Sequence, residues 1–186
     1  SFRKEVNLMA LSTFQGPVRS MGGSYNQGPE SVVALTVDTT INPTDHAGKI
    51  ILINNSTLTI TLPTINSDAL HPSAGPFRKG GGPNTLSNVG IAYRFLFLTS
   101  SGDSTTIQMT TAANLFHGSI VQGKAGLGLV HVFEPNGSSN NALVFDGTTT
   151  GGVAGTDFTI TAIYANKYHV QGVNLGSGTL ATPFSG

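Results

Sequence analysis

The stretch KIILINNSTLTITLP, from Lys49 to Pro63, decides the fold class. Ile50 to Ile53 form an unbroken apolar run, Asn54 and Asn55 interrupt it, and threonine then alternates with Leu58, Ile60 and Leu62. β-Branched residues suit a pleated surface. Strict alternation places the leucines and the isoleucine on one face and Thr57, Thr59 and Thr61 on the other. Asparagine tolerates left-handed backbone angles, so residues 49–54 and 56–62 predict a β-hairpin turning at NNS. Pro63 cannot donate to a ladder and ends the second strand.

The same pattern recurs along the chain. Strands are predicted over Val32–Val37, Ile91–Thr99, Thr105–Met109, Gly128–Glu134, Ala142–Asp146, Phe158–Ala165 and Lys167–Val173. Ile91–Thr99 (IAYRFLFLT) is the most apolar and reads as a central strand. The last two read as a hairpin across Asn166. Ala112–Phe116 has room for one helical turn, and no segment has a long helical face. No internal repeat is visible. Short strands with glycine-rich turns predict an all-β fold, an antiparallel sandwich or barrel.

Two segments break the pattern. Residues 12–31 (STFQGPVRSMGGSYNQGPES) lack periodicity, so residues 1–31 read as an extended N-terminal arm and 32–186 as a single β-domain. Phe14, Val18 and Tyr25 are candidate anchors of that arm. Residues 64–90 form a long connection carrying the basic pair Arg78 and Lys79 in FRKGGGPN. Connections of that length are usually functional or disordered, so the loop reads either as a contact loop or as a surface excursion.

Composition narrows the function classes. Charged residues are 10% of the chain, against roughly 25% in an average soluble domain. Nine basic and nine acidic residues cancel, and the basic stripe a phosphate binder needs is not visible. The expectation is therefore no nucleic acid. No apolar run approaches the roughly 18 residues of a membrane span, so no membrane partner is expected either. VNLMAL at 6–11 is too short for a secretory signal, and the chain starts at Ser1 as if an initiator methionine had been removed. Cysteine is absent, which removes disulfides and thiolate metal sites. Asn54, Asn55 and Asn136 each open an N-x-Ser/Thr sequon and read as turn residues.

No motif carries obvious chemistry. Asp45 and His46 in PTDHAGK form a possible imidazole-orienting pair, set against a plain turn before residue 49. His131 and His169 fall on strand faces, while His71 and His117 fall in predicted loops. No two histidines share metal-ligand spacing, so no metal or cofactor is expected. The carboxylates are scattered beside turns and nominate no glycosidase pair. Lys79-Gly-Gly-Gly and the GKAGLG run from Gly123 lack the ending and context of a phosphate loop and read as turns. The aromatic residues, ten Phe and four Tyr, sit mostly in strand patterns as core candidates, with Tyr25, Tyr164 and Tyr168 the ones placed for exposure.

Several segments resemble virion proteins of tailed bacteriophages. TFQGPVRSMGG is similar to the opening of small phage virion proteins, where F-x-G-P-V-x-S precedes a β-domain. AGKIILINNSTLTITLPTI, IAYRFLFLTSSGDSTTIQ and NLFHGSI resemble a β-module of phage decoration and tail-fibre proteins, and FTITAIYANKYHVQG resembles its closing strands. The likeness covers about residues 12–173, and the 64–90 insertion departs from it. The resemblance implies a head decoration (cement) protein: non-enzymatic, homotrimeric, made in the host bacterial cytoplasm and seated on the major capsid protein at the capsid surface. Phe14, Pro17, Val18, Arg19, Tyr25, Arg78 and Lys79 are the expected partner contacts. For Arg19 an interface anchor and a solvated tail residue stand side by side. The alternative function is a receptor- or glycan-binding domain of a phage tail fibre. A carbohydrate-active β-sandwich enzyme is a further alternative, and it requires two converging carboxylates.

Overall fold

A computed structural model describes residues 31–65, 89–124, 126 and 128–186, together with the backbone of residues 19–20 and 23–24. Fourteen strands and one helical turn follow in order: β1 (Arg19–Ser20), β2 (Gly23–Ser24), β3 (Val32–Leu35), β4 (Thr39–Thr40), α1 (Pro43–His46), β5 (Ile50–Ile53), β6 (Thr59–Leu62), β7 (Ala92–Phe97), β8 (Thr105–Met109), β9 (Leu115–Lys124), β10 (Val130–Phe133), β11 (Ala142–Phe145), β12 (Asp157–Tyr164), β13 (Lys167–Gly176) and β14 (Phe184–Ser185). A seven-stranded sheet, in the order β10-β9-β13-β12-β7-β5-β3, packs on a five-stranded sheet, β14-β11-β8-β6-β4. The pair β1–β2 stands by itself. The fold is thus the expected all-β sandwich, but both sheets are mixed rather than antiparallel.

The difference begins in the opening stretch. β5 and β6 do not pair with each other. β5 lies parallel between β3 and β7 in the larger sheet, while β6 lies parallel between β4 and β8 in the smaller one. NNS is therefore an arch that carries the chain across the core, and the predicted hairpin is not formed. The same step occurs from β3 to β4 and from β7 to β8. Three sheet-to-sheet arches are stacked in parallel, a structural repeat that the sequence does not show as similarity.

Hydrogen bonds tie each arch to the next. Asn54 N–H donates to Leu35 O (3.0 Å) and the Asn55 amide to Thr36 O (2.9 Å). One level on, Leu98 N–H donates to Ile53 O (2.9 Å), Gly102 N–H to Ser56 O (2.8 Å) and Thr106 N–H to Leu58 O (2.7 Å). Arches leave backbone groups that the ladders cannot pair, and stacking pairs them.

The core lies between the two sheets. Ile51, Ile53, Phe95 and Phe97 face inward from the larger sheet, and Leu58, Ile60, Leu62 and Ile107 face them from the smaller one. Phe145 of the smaller sheet packs on Phe97 (ring centroids 5.2 Å apart) and Phe158 (5.5 Å) of the larger. The closing hairpin, β12–β13, turns at Asn166 (φ 60°) as its sequence predicts. β9 is a ten-residue strand that includes Phe116 and His117, so neither the helical turn at 112–116 nor a loop position for His117 is found. The early glycine Gly118 and the missing alternation through HGS hide this strand in the sequence.

Phe97 touches both Phe145 and Phe158 and is essentially unexposed. Replacing it with alanine should lower unfolding free energy by about 3–5 kcal/mol. The measurement is a urea unfolding midpoint with an unchanged slope.

Candidate interaction surface

Local structure accounts first for Asp45 and His46. Asn42 caps α1: its side-chain oxygen accepts from Asp45 N–H (2.8 Å), and its amide donates to the Asp45 carboxylate (2.6 Å). The His46 ring is buried, and its Nδ1 meets the Asn42 backbone. Asp45 therefore serves the cap, and the Asp–His pair is not formed. Among the described residues no group of three or more His, Asp or Glu side chains is placed to hold a metal ion.

Asp146 is likewise structural. Its carboxylate accepts from the backbone of Thr148 (2.7 Å) and Thr150 (2.9 Å) and from the Thr149 hydroxyl (2.5 Å). Partial burial acts to raise the carboxyl, but the hydrogen bonds from Thr149, Thr148 and Thr150 outweigh it and hold the value down at about 2. The loop that follows is pinned from beneath by Asn174, which is fully buried. Its oxygen accepts from Gly152 N–H (2.8 Å) and its amide donates to Gln122 Oε1 (3.1 Å) and Thr150 O (2.9 Å). Gly151 crosses so close that a Cβ there would lie 2.2 Å from the Asn174 amide, and its φ of +85° also requires glycine.

The aromatic placements are mixed. Tyr164 is exposed, as expected, whereas Tyr168 is fully buried with its hydroxyl donating to Pro63 O (2.6 Å). An inward position on β13, alternating with His169, removes it from any surface role. Burial pushes the Tyr93 hydroxyl up to about 12, so neither buried tyrosine ionises near neutral pH. Phe14, Pro17, Val18, Tyr25, Arg78 and Lys79 lie outside the described residues, and Arg19 is described only as backbone in β1.

What remains is the outer face of the seven-stranded sheet. One row crosses every strand in register: Val132, Val121, Val173, Asp157, Leu96, Leu52 and Ala34. Val132, Val121 and Val173 are adjacent and 60%, 38% and 48% exposed. Val130 and Val32 add exposed aliphatic area on the same face. The row is interrupted by a surface ion pair in which Arg94 Nε and Nη2 donate to the Asp157 carboxylate (3.0 and 2.5 Å). That hydrogen-bonded arginine holds the Asp157 carboxyl below its ordinary value. Half of Arg94 is exposed, so the pair contributes at most about 1 kcal/mol. Beside it a shallow groove of about 500 Å³ is lined by Arg94, Asp157, Thr159, Gln171, Gly172 and Val173.

Sequence reasoning missed this face, although a signal was present. Ile50–Ile53 and the Phe95–Leu98 part of β7 and its exit are continuous apolar runs rather than alternating ones. Continuous runs mark strands that are apolar on both faces.

No family model, curated protein or solved structure matches the chain.

The depressed Asp146 carboxyl predicts a pH dependence. Its folded value, about 2, lies below the ordinary 3.8, so the unfolded chain takes up the proton first. The stabilisation is complete above pH 3.8 and is lost as pH falls through about 2. Asp146→Asn should therefore be less stable than the parent at pH 7, and the gap should shrink towards pH 2, as read from denaturant midpoints across that range.

Proposed function

We propose that the chain is a non-enzymatic structural protein of a bacteriophage virion, which decorates the capsid shell and stabilises it through protein–protein contacts. The observation that carries this reading is the exposed aliphatic row Val132–Val121–Val173 on the outer face of the larger sheet. Contiguous exposed apolar area of this kind marks an interaction site rather than ordinary surface. The sparse charge of the chain supports it, because uncharged surface is buried without the desolvation cost of unpaired ions. The resemblance in the segments around 12–173 supplies the virion, the major capsid protein as partner and homotrimeric assembly at the capsid surface. Partner contacts from Phe14, Pro17, Val18, Arg19 and Tyr25 of the arm, and from Arg78 and Lys79, belong to the same proposal.

The groove beside the Arg94–Asp157 pair favours a second reading, a receptor- or glycan-binding domain of a tail fibre. Gln171 and Thr159 offer side-chain amide and hydroxyl groups next to a fixed ion pair. Polar groups of that kind fix the orientation of a ligand in a concave site.

The two readings separate on two variants. Val121→Lys/Val173→Lys places charges on the row without touching the core. It should keep its circular dichroism and lose about 2 kcal/mol of affinity for decoration-free phage shells, roughly a thirtyfold weakening. Unchanged shell binding, with glycan-array binding that Gln171→Ala abolishes, would replace the shell reading with the tail-fibre one.

A further inference from the structure

The seven-stranded sheet ends at β10, whose far side pairs with no strand among the described residues. Val130 and Val132 of the strand are each 60% exposed, and Leu129 just before it is 52% exposed. Natural edge strands are blunted by lysine, proline, bulges or extreme shortness; β10 is short, at four residues, but residues 129–133 (LVHVF) carry no charge and no proline. Glu134 and Pro135 come only after the strand ends.

The ladder to β9 fixes which backbone groups are free. Lys124 N–H donates to Leu129 O (2.9 Å), and Val130, His131, Val132 and Phe133 pair in register with Gly123, Gln122, Val121 and Ile120. Antiparallel pairs alternate between bonded and non-bonded. Leu129, His131 and Phe133 thus direct their backbone groups at β9. Val130 and Val132 direct theirs outward, to the open edge.

The strand is also a palindrome in chemistry. About His131 it reads leucine, valine, histidine, valine, phenylalanine. An antiparallel partner must match faces as well as free backbone groups, so the residue numbers of facing positions must sum to an even number. With His131 opposite its own copy, Val130 faces Val132, Leu129 faces Phe133, and both valine pairs are hydrogen-bonded. Shifting by one step to centre on Val132 sets Val130 against Glu134, a charge against an aliphatic. The opposite shift pairs Val132 with Gly128 and leaves His131 opposite Leu129.

We propose that β10 pairs with β10 of a second copy of this chain about a two-fold axis at His131, fusing two seven-stranded sheets into one. Such an isologous contact requires a surface complementary to itself, and this strand meets that requirement in pattern, face and backbone polarity. The zero net charge of the chain sets no long-range repulsion between copies. A two-fold isologous contact is a separate contact from a heterologous three-fold one, so it would link trimers where trimers form, and it does not depend on the shell.

The chain has no cysteine, so single substitutions report the register. His131→Cys places the two sulfurs at a non-bonded pair with Cα atoms about 4.5 Å apart, inside the span a disulfide bridges. Under mild oxidation this variant should form a covalent dimer on a denaturing gel. Val130→Cys alone should not, because its own copy sits two residues out of register, beyond about 7 Å. A mixture of Val130→Cys and Val132→Cys should cross-link. Adding Val132→Lys to His131→Cys should suppress the dimer, and light scattering on otherwise unaltered protein should give at least twice the mass of Val132→Lys. No dimer from a folded His131→Cys, equal dimer from Val130→Cys alone, or a mass that Val132→Lys leaves unchanged would each overturn the two-fold pairing.

Discussion

The structure depends on arches that stack. A chain that crosses from one sheet to the other exposes carbonyls and amides at the crossing, and no ladder of its own sheet accepts them. Leu35 O, Ile53 O, Ser56 O and Leu58 O are each met by an N–H from the next arch. Once these bonds form, β3, β5 and β7 must run parallel in one sheet and β4, β6 and β8 in the other. The apolar sides then face each other automatically, because both strands of each arch present one face to the same interior. The phenylalanine cluster of Phe95, Phe97, Phe145 and Phe158 fills the space between.

Parallel stacking has a second consequence, for the surface. Residues in register on parallel strands repeat the same face at the same height, so side chains of neighbouring strands line up in rows. Ala34, Leu52 and Leu96 form one outward row and Val32, Ile50 and Arg94 the next. The closing strands continue the first row through Asp157 to Val173, Val121 and Val132. Only one ion pair interrupts it. A chain with so few charges has little with which to cover a seven-stranded face, and aliphatic area stays exposed on it.

The strands were legible in the sequence because alternation is local. β6, β12 and β13 read directly, and Asn166 marked its hairpin by tolerating a positive φ. The pairing was not legible at Asn54–Ser56. A hairpin and an arch demand the same alternation of Ile51, Ile53, Leu58, Ile60 and Leu62, and they differ only in which distant strand accepts the backbone bonds. The sign of the arch lay in Ile50 and Leu52, apolar residues that a hairpin facing water on one side would not need. The candidate surface was hidden for the same reason: Val121, Val132 and Val173 become neighbours only through the β10–β9–β13 register, which joins residues far apart in sequence and includes one parallel step. Asp146 and Asn174 show the converse. Their carboxylate and amide are taken up by the backbone of a threonine- and glycine-rich loop, a role that depends on contacts the sequence alone does not show.

The two ends of the larger sheet then differ in what they invite. At the β3 end the exposed residues are Val32, at 40%, and the small Ala34. At the β10 end the two outward-facing residues are both valine, each 60% exposed, and the strand carries no charge or proline to oppose addition of another. An unguarded edge costs a free protein solubility. It persists without penalty where the edge is habitually occupied. Among the described residues no strand covers this edge, and it lies next to a row of exposed valines on the same sheet, so edge and face together form the aliphatic surface on which the proposed contacts rest.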